Sequence, residues 1–164
     1  MQTAKQLLFM PLLFIAGMLF SMPAMSQVPP ASPVFQLTVD KPIDEVYDSV
    51  YKSLEDARFY VVFEPNIGAN LSRFSGKWGD DYNQNNLTAI RSMVFCNGWY
   101  ANKVSNLDPS MLGFCPLHIS LIERDGKTTA LFNRPTVLAK GSPALDLFVT
   151  IENEVIAAIK AGMD

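Results

Sequence analysis

Residues 93–121 read MVFCNGWYANKVSNLDPSMLGFCPLHISL, and they hold both cysteines and the single histidine of the 164-residue chain. The stretch is two β-rich runs around a turn and a short helical pattern. Residues 90–96 alternate with period two, so Ile90, Ser92, Val94 and Cys96 share one face of a strand, while Arg91, Met93 and Phe95 share the other. Asn97 and Gly98 turn the chain. Residues 101–107 fit a short helix closed by Asp108 and Pro109, and residues 114–122 form the next strand. Cys115, Leu117, Ile119 and Leu121 occupy one face of it, with His118 and Ser120 on the other.

Asp125-Gly126 is the sharpest turn signal in the chain and makes residues 128–133 the hairpin partner of that strand. Arg134-Pro135 ends the pairing. Ser142 and Pro143 then supply an N-cap and first-turn residue for a C-terminal amphipathic helix marked by Leu145, Phe148, Ile151, Val155 and Ile159. On the N-terminal side, residues 34–39 are a strand stopped before Pro42. Ile43, Val46, Tyr47, Val50, Tyr51 and Leu54 recur at helical spacing as one apolar stripe. Residues 59–63 are another strand, ended by Pro65. Between Ile67 and Leu87 the periodicity fades into a long polar loop carrying three glycines and the rings of Phe74, Trp78 and Tyr82. The expected order is β-α-β, a long loop, β, a short helix, a β-hairpin and α.

The first residues point to export. Lys5 precedes an uncharged apolar run over residues 7–20, and Ala24 and Ser26 place small side chains at the positions a signal peptidase reads. A membrane-spanning helix needs about 20 apolar residues; this run is shorter and contains Pro11. The expected division is a signal peptide over 1–26, a proline-rich tether over 27–33 and one domain over 34–162, with a periplasmic location and no stable membrane span after cleavage. The mature chain carries 12 basic against 16 acidic residues. That net negative charge argues against nucleic acid or anionic lipid as a partner.

The frame Val39-Asp40-Lys41-Pro42-Ile43-Asp44-Glu45-Val46, then Ala57-Arg58-Phe59, Asn66-Ile67-Gly68-Ala69-Asn70-Leu71, Phe95-Cys96-Asn97, Asp108-Pro109, Phe114-Cys115-Pro116-Leu117 and Arg134-Pro135-Thr136 resembles the family called domain of unknown function 302. The resemblance implies an α+β architecture: a single compact domain with an antiparallel sheet and two main helices on one face, similar to the TATA-binding-protein-like fold. It implies no activity and no DNA-binding role, because a fold does not carry a function with it.

Cys96 and Cys115 are an even pair in a chain read as exported, which favours a structural disulfide over two free buried thiols, a redox-active pair or half of a metal site. Their spacing is unlike the Cys-x-x-Cys of redox motifs. A structural zinc site wants four cysteine or histidine ligands, and the chain owns three. No metal and no cofactor is expected. His118 invites a nucleophile story with Ser120, but two residues apart on one strand they lack the orienting third group such catalysis requires. Asp80, Asp81 and Glu64 lack calcium-loop spacing, and Gly76-Lys77-Trp78-Gly79 lacks the strand and Gly-Lys-Ser/Thr ending of a phosphate loop.

Two function classes follow. The first is a binding or accessory module for a small molecule or a periplasmic protein, with Trp78, Tyr82, Trp99 and Tyr100 bordering the site. Amphipathic rings in glycine-rich segments are favoured at recognition surfaces. Self-association stays open. The second is an enzyme of unrecognised type using His118, Asp80, Asp81 or Arg134; on the residues alone no catalytic group is assigned.

Overall fold

The computed structural model describes residues 32–164. The expected signal segment and residues 27–31 of the tether lie outside them. Pro33, at the end of that tether, is tied to the domain, since its carbonyl accepts from the Arg134 amide at 2.9 Å.

Five strands form one antiparallel sheet: β1 (Val34–Val39), β2 (Tyr60–Phe63), β3 (Ala89–Cys96), β4 (Leu117–Arg124) and β5 (Lys127–Asn133), in the order β1-β5-β4-β3-β2. The Asp125-Gly126 turn joins β4 to β5 with both residues at positive φ, as a type I′ two-residue hairpin loop requires. Helices α1 (Ile43–Asp56) and α6 (Leu145–Met163) cover one face. Period-two alternation sends Met93, Phe95, Ile119, Leu121, Ala130 and Phe132 to that face, where they meet Val46, Val50 and Leu54 of α1 and Ile151, Val155 and Ile159 of α6. Burying each large side chain contributes about 1.5–3 kcal/mol. Gly162 sets the closeness of the two helices: a Cβ there would sit 2.5 Å from the Val50 Cα.

The N-terminus of α1 is capped from the sheet beneath it. Pro42 stands at the N-cap with no side chain able to accept a bond, and Glu123 of β4 supplies the acceptor, Oε2 taking the Ile43 amide at 2.6 Å. Thr88 donates to the other oxygen of that carboxylate at 2.7 Å. The C-terminal half is tied by a part-buried ion pair, Arg134 Nη1 to the buried Glu152 Oε1 at 2.7 Å, while Thr136 binds the second Glu152 oxygen through its hydroxyl and amide. Thr136 lies in the short helix α5 (Pro135–Leu138).

Four expectations need correction. Ser142 and Pro143 do not start the C-terminal helix: α6 begins at Leu145 with Ala144 at the N-cap, and the Ser142 hydroxyl accepts the Ala144 amide at 3.1 Å in the turn before it. The loop over 67–87 is largely ordered into α2 (Ile67–Ser72), α3 (Ser75–Trp78) and a 3-10 turn (Gly79–Asp81). The Asn97-Gly98 turn is instead the start of α4 (Gly98–Leu107), because the Asn97 Oδ1 accepts the amides of Trp99 and Tyr100 as an N-cap. The predicted disulfide is not formed: Cys96 and Cys115 are free thiols with Sγ atoms 3.1 Å apart, against about 2.05 Å for a bond. Cys115 sits between a 3-10 turn (Pro109–Phe114) and β4, so strand pairing does not fix its position.

Candidate functional site

The face of β3 that builds the core carries one charge. Arg91 shares its parity with Met93 and Phe95, and at its position the core ends. Its guanidinium lies 3.4 Å from the ring centroid of Tyr47 on α1, and Nη1 donates to Asp44 Oδ1 at 2.9 Å. The buried Tyr47 hydroxyl donates in turn to Glu64 Oε2 at 2.7 Å. Burial first, and the Glu64 carboxylate second, push the Tyr47 hydroxyl well above the ordinary phenol range, so it stays a donor. Asp44, Arg91, Tyr47 and Glu64 thereby form one linked chain of contacts, with the buried Tyr47 at its inner end and the Asp44 and Glu64 carboxylates at the surface.

Asp44 and Arg91 line a cleft of about 740 Å³. Its second wall is α2, capped by Asn66 through the Ala69 amide at 2.9 Å. The helix lies against the β3 backbone because residue 68 is glycine; a Cβ there would come within 3.1 Å of the Ile90 nitrogen. The third wall is the segment that follows. Gly79, at φ +53°, turns the chain after α3 and sets a row of rings in which Phe74 and Trp78 stack at 5.1 Å and Trp78 and Tyr82 lie at 6.5 Å, tilted by 30°. Trp78 is 39% exposed. Asn83 then fixes the return to β3, its amide both donating to the Leu87 carbonyl and accepting from the Leu87 nitrogen at 2.9 Å.

Trp99 and Tyr100 do not face this cleft. They line a second one of about 1070 Å³ with Arg58 and Tyr60, and the two clefts share no lining residue. Tyr100 is an anchor, stacked on Phe59 at 6.1 Å, with its hydroxyl donating to Glu154 at 2.7 Å. That bond, more than burial, raises its pKa. Trp99 is 64% exposed, with the Lys103 ammonium 5.0 Å from its ring centroid. The four aromatic residues singled out from the sequence thus belong to two places.

The groups of the enzyme reading are dispersed as well. His118 is exposed on the sheet face away from the helices and shares a cleft of about 420 Å³ with Arg134, whose Nη1 is engaged by Glu152. Ser120 bonds to Ser92 at 2.6 Å. Asp81 lines the Trp78 cleft. Among the described residues, no three His, Cys, Asp or Glu side chains converge to hold a metal ion, and no helix is long and apolar enough to cross a membrane. The Tyr47–Arg91 network was missed from sequence. The available signal was a charged residue at core parity on β3.

The sequence model described as Domain of unknown function DUF302 matches residues 35–163, and the chain belongs to that family. Its fold is similar to the crystal structure of an uncharacterized conserved DUF302 protein from Bacillus stearothermophilus. That chain is covered in full and 82% of this one, with 21% identity and a TM-score of 0.70. No curated protein matches the chain.

Proposed function

We propose that the chain is an exported binding module that holds a small molecule in the cleft between Trp78 and Arg91. One observation carries the reading: an exposed indole in a stacked row of rings lines the same cleft as the Arg91 guanidinium, which Asp44 and the Tyr47 ring behind the wall already hold in place. Pre-set orientation lowers the entropic cost of binding, and apolar rings beside a few placed polar groups are the usual make-up of a ligand pocket. Export rests on the charged start, the short apolar run and the small residues before Gln27.

A partner protein is the second reading, and a different feature favours it. Edge strand β2 leaves Tyr60, Val62 and Phe63 more than half exposed, and an apolar sheet edge is a surface for strand addition.

The test is native mass spectrometry of protein recovered from the bacterial periplasm without refolding, alongside the Trp78→Ala variant. A bound small mass that is lost in the variant, with the thermal midpoint nearly kept, supports the cleft. A Trp78→Ala variant destabilised by about 3 kcal/mol or more, the cost of removing a core aromatic, makes Trp78 a packing residue and rejects it. A homogeneous larger complex that breaks on Phe63→Lys favours the protein partner. Intact mass starting at Gln27 checks export.

A further inference from the structure

Resting on that reading of the cleft, we infer that its ligand is a neutral pyranose ring, laid with its C–H face on Trp78 and its hydroxyls toward the amides of residues 66, 84 and 85. Charge is the first discriminator. The cleft's one lining cation, Arg91, is engaged by Asp44 at 2.9 Å, and the remaining lining charge is the Asp81 carboxylate. An anionic ligand would meet no free cation among these lining residues and one like charge, so phosphate and carboxylate ligands are disfavoured.

Hydrogen-bonding capacity is the second. The amide of Asn83 is fully engaged in the loop, and the Asn66 Oδ1 is taken by the α2 cap. The Nδ2 of Asn66, the Oε1 of Gln84 and the whole amide of Asn85 have no partner among the described residues, and all three residues line the cleft. The wall therefore offers neutral donors and neutral acceptors side by side. A hydroxyl both donates and accepts, so a polyhydroxylated ring can satisfy such a wall without bringing a charge.

Ring geometry is the third. A planar aromatic ligand wants two parallel protein rings with room for a third plane between them. Trp78 and Tyr82 have centroids only 6.5 Å apart and planes inclined by 30°, and Phe74 already stacks on Trp78. The row makes a stepped platform open on one side, not a slot. A platform suits a puckered ring with an apolar face and a polar rim, because an aromatic face is apolar while its surroundings are wet. The cleft lies within the size range of ligand pockets, about 300–1,000 Å³, with room for more than one sugar unit.

The experiment uses the mature chain carrying Trp99→Phe, which leaves Trp78 as its single tryptophan. Maltotetraose and the tetramer of N-acetylglucosamine are titrated against its emission, with adenosine as the planar control and glucuronate as the anionic one. A saturable change with either tetrasaccharide, weakened roughly fivefold by Asn85→Ala as loss of one neutral hydrogen bond would do, supports the inference. The thermal midpoint of Asn85→Ala serves as the folding check. Retention on insoluble amylose or chitin without a response to tetramers also supports it and makes a polymer the source of the ring. A response to adenosine or glucuronate alone overturns the inference and leaves a binding cleft of another class. Silence toward all four probes and both polymers overturns it too; if the native protein still carries a bound mass that Trp78→Ala loses, the binding reading survives.

Discussion

The sulfur atoms of Cys96 and Cys115 lie 3.1 Å apart with no bond between them, at the edge of an apolar recess that includes Phe95, Val104 and Phe148. Burial, and then the neighbouring Cys96, push the Cys115 thiol up to about 11. A thiol held neutral is a poor nucleophile at pH 7. Alkylation of the reduced native protein at neutral pH should therefore be slow at Cys115 and become fast in denaturant. Treatment with glutathione disulfide should join the pair within one chain, lowering the mass by two hydrogens per molecule, and the closed loop should add about 3 kcal/mol of stability. Denaturant titrations with and without reductant check the magnitude. Mixed disulfides with glutathione that never resolve would contradict the proximity.

Glu123 caps α1 from the neighbouring layer, and the acid limb of the stability curve should report it. The Ile43 amide and the Thr88 hydroxyl hold its carboxyl below the ordinary glutamate range. With the folded pKa depressed, its contribution is fully present above the unfolded value of about 4.3 and is lost as pH falls through the folded value. Glu123→Gln should flatten that part of the pH profile, and Glu123→Ala should cost about 1 kcal/mol at pH 7, as loss of an N-cap does. Urea midpoints between pH 2 and pH 7, roughly the span around the glutamate value, make the comparison.

Glu152 is buried on α6 and binds both Arg134 and Thr136. Glu152→Ala leaves the guanidinium of a largely buried arginine without its partner, which should cost about 3 kcal/mol. Glu152→Gln keeps an acceptor and should cost less. Guanidinium denaturation of the two variants orders them, and equal losses would mean that the acceptor kept by glutamine contributes nothing without the charge.

The sheet and its two covering helices were legible because their residues repeat with the period of the element they form. Ile43, Val46, Tyr47, Val50 and Leu54 lie on one stripe of α1 and are buried as that stripe requires. The α2 to 3-10 segment was read as loop because its order comes from features without periodicity: the Asn66 cap, the close approach at Gly68 and ring stacking along Phe74, Trp78 and Tyr82. Trp78 and Trp99 look alike in composition but belong to different elements, α3 and α4, and only the tertiary fold sends them to separate clefts. The Tyr47–Glu64 bond joins residues 17 positions apart through a helix, a turn and a strand, and no local pattern encodes such a contact.

Ile43 is at once the first residue of α1, the donor to Glu123 and part of the wall of the Trp78 cleft. Its peptide hydrogen is therefore a built-in reporter. A molecule seated against α1 shields that hydrogen and steadies the cap together, so cleft occupancy should be written in the deuterium uptake of the peptide spanning Ile43, with uptake around Trp99 unchanged.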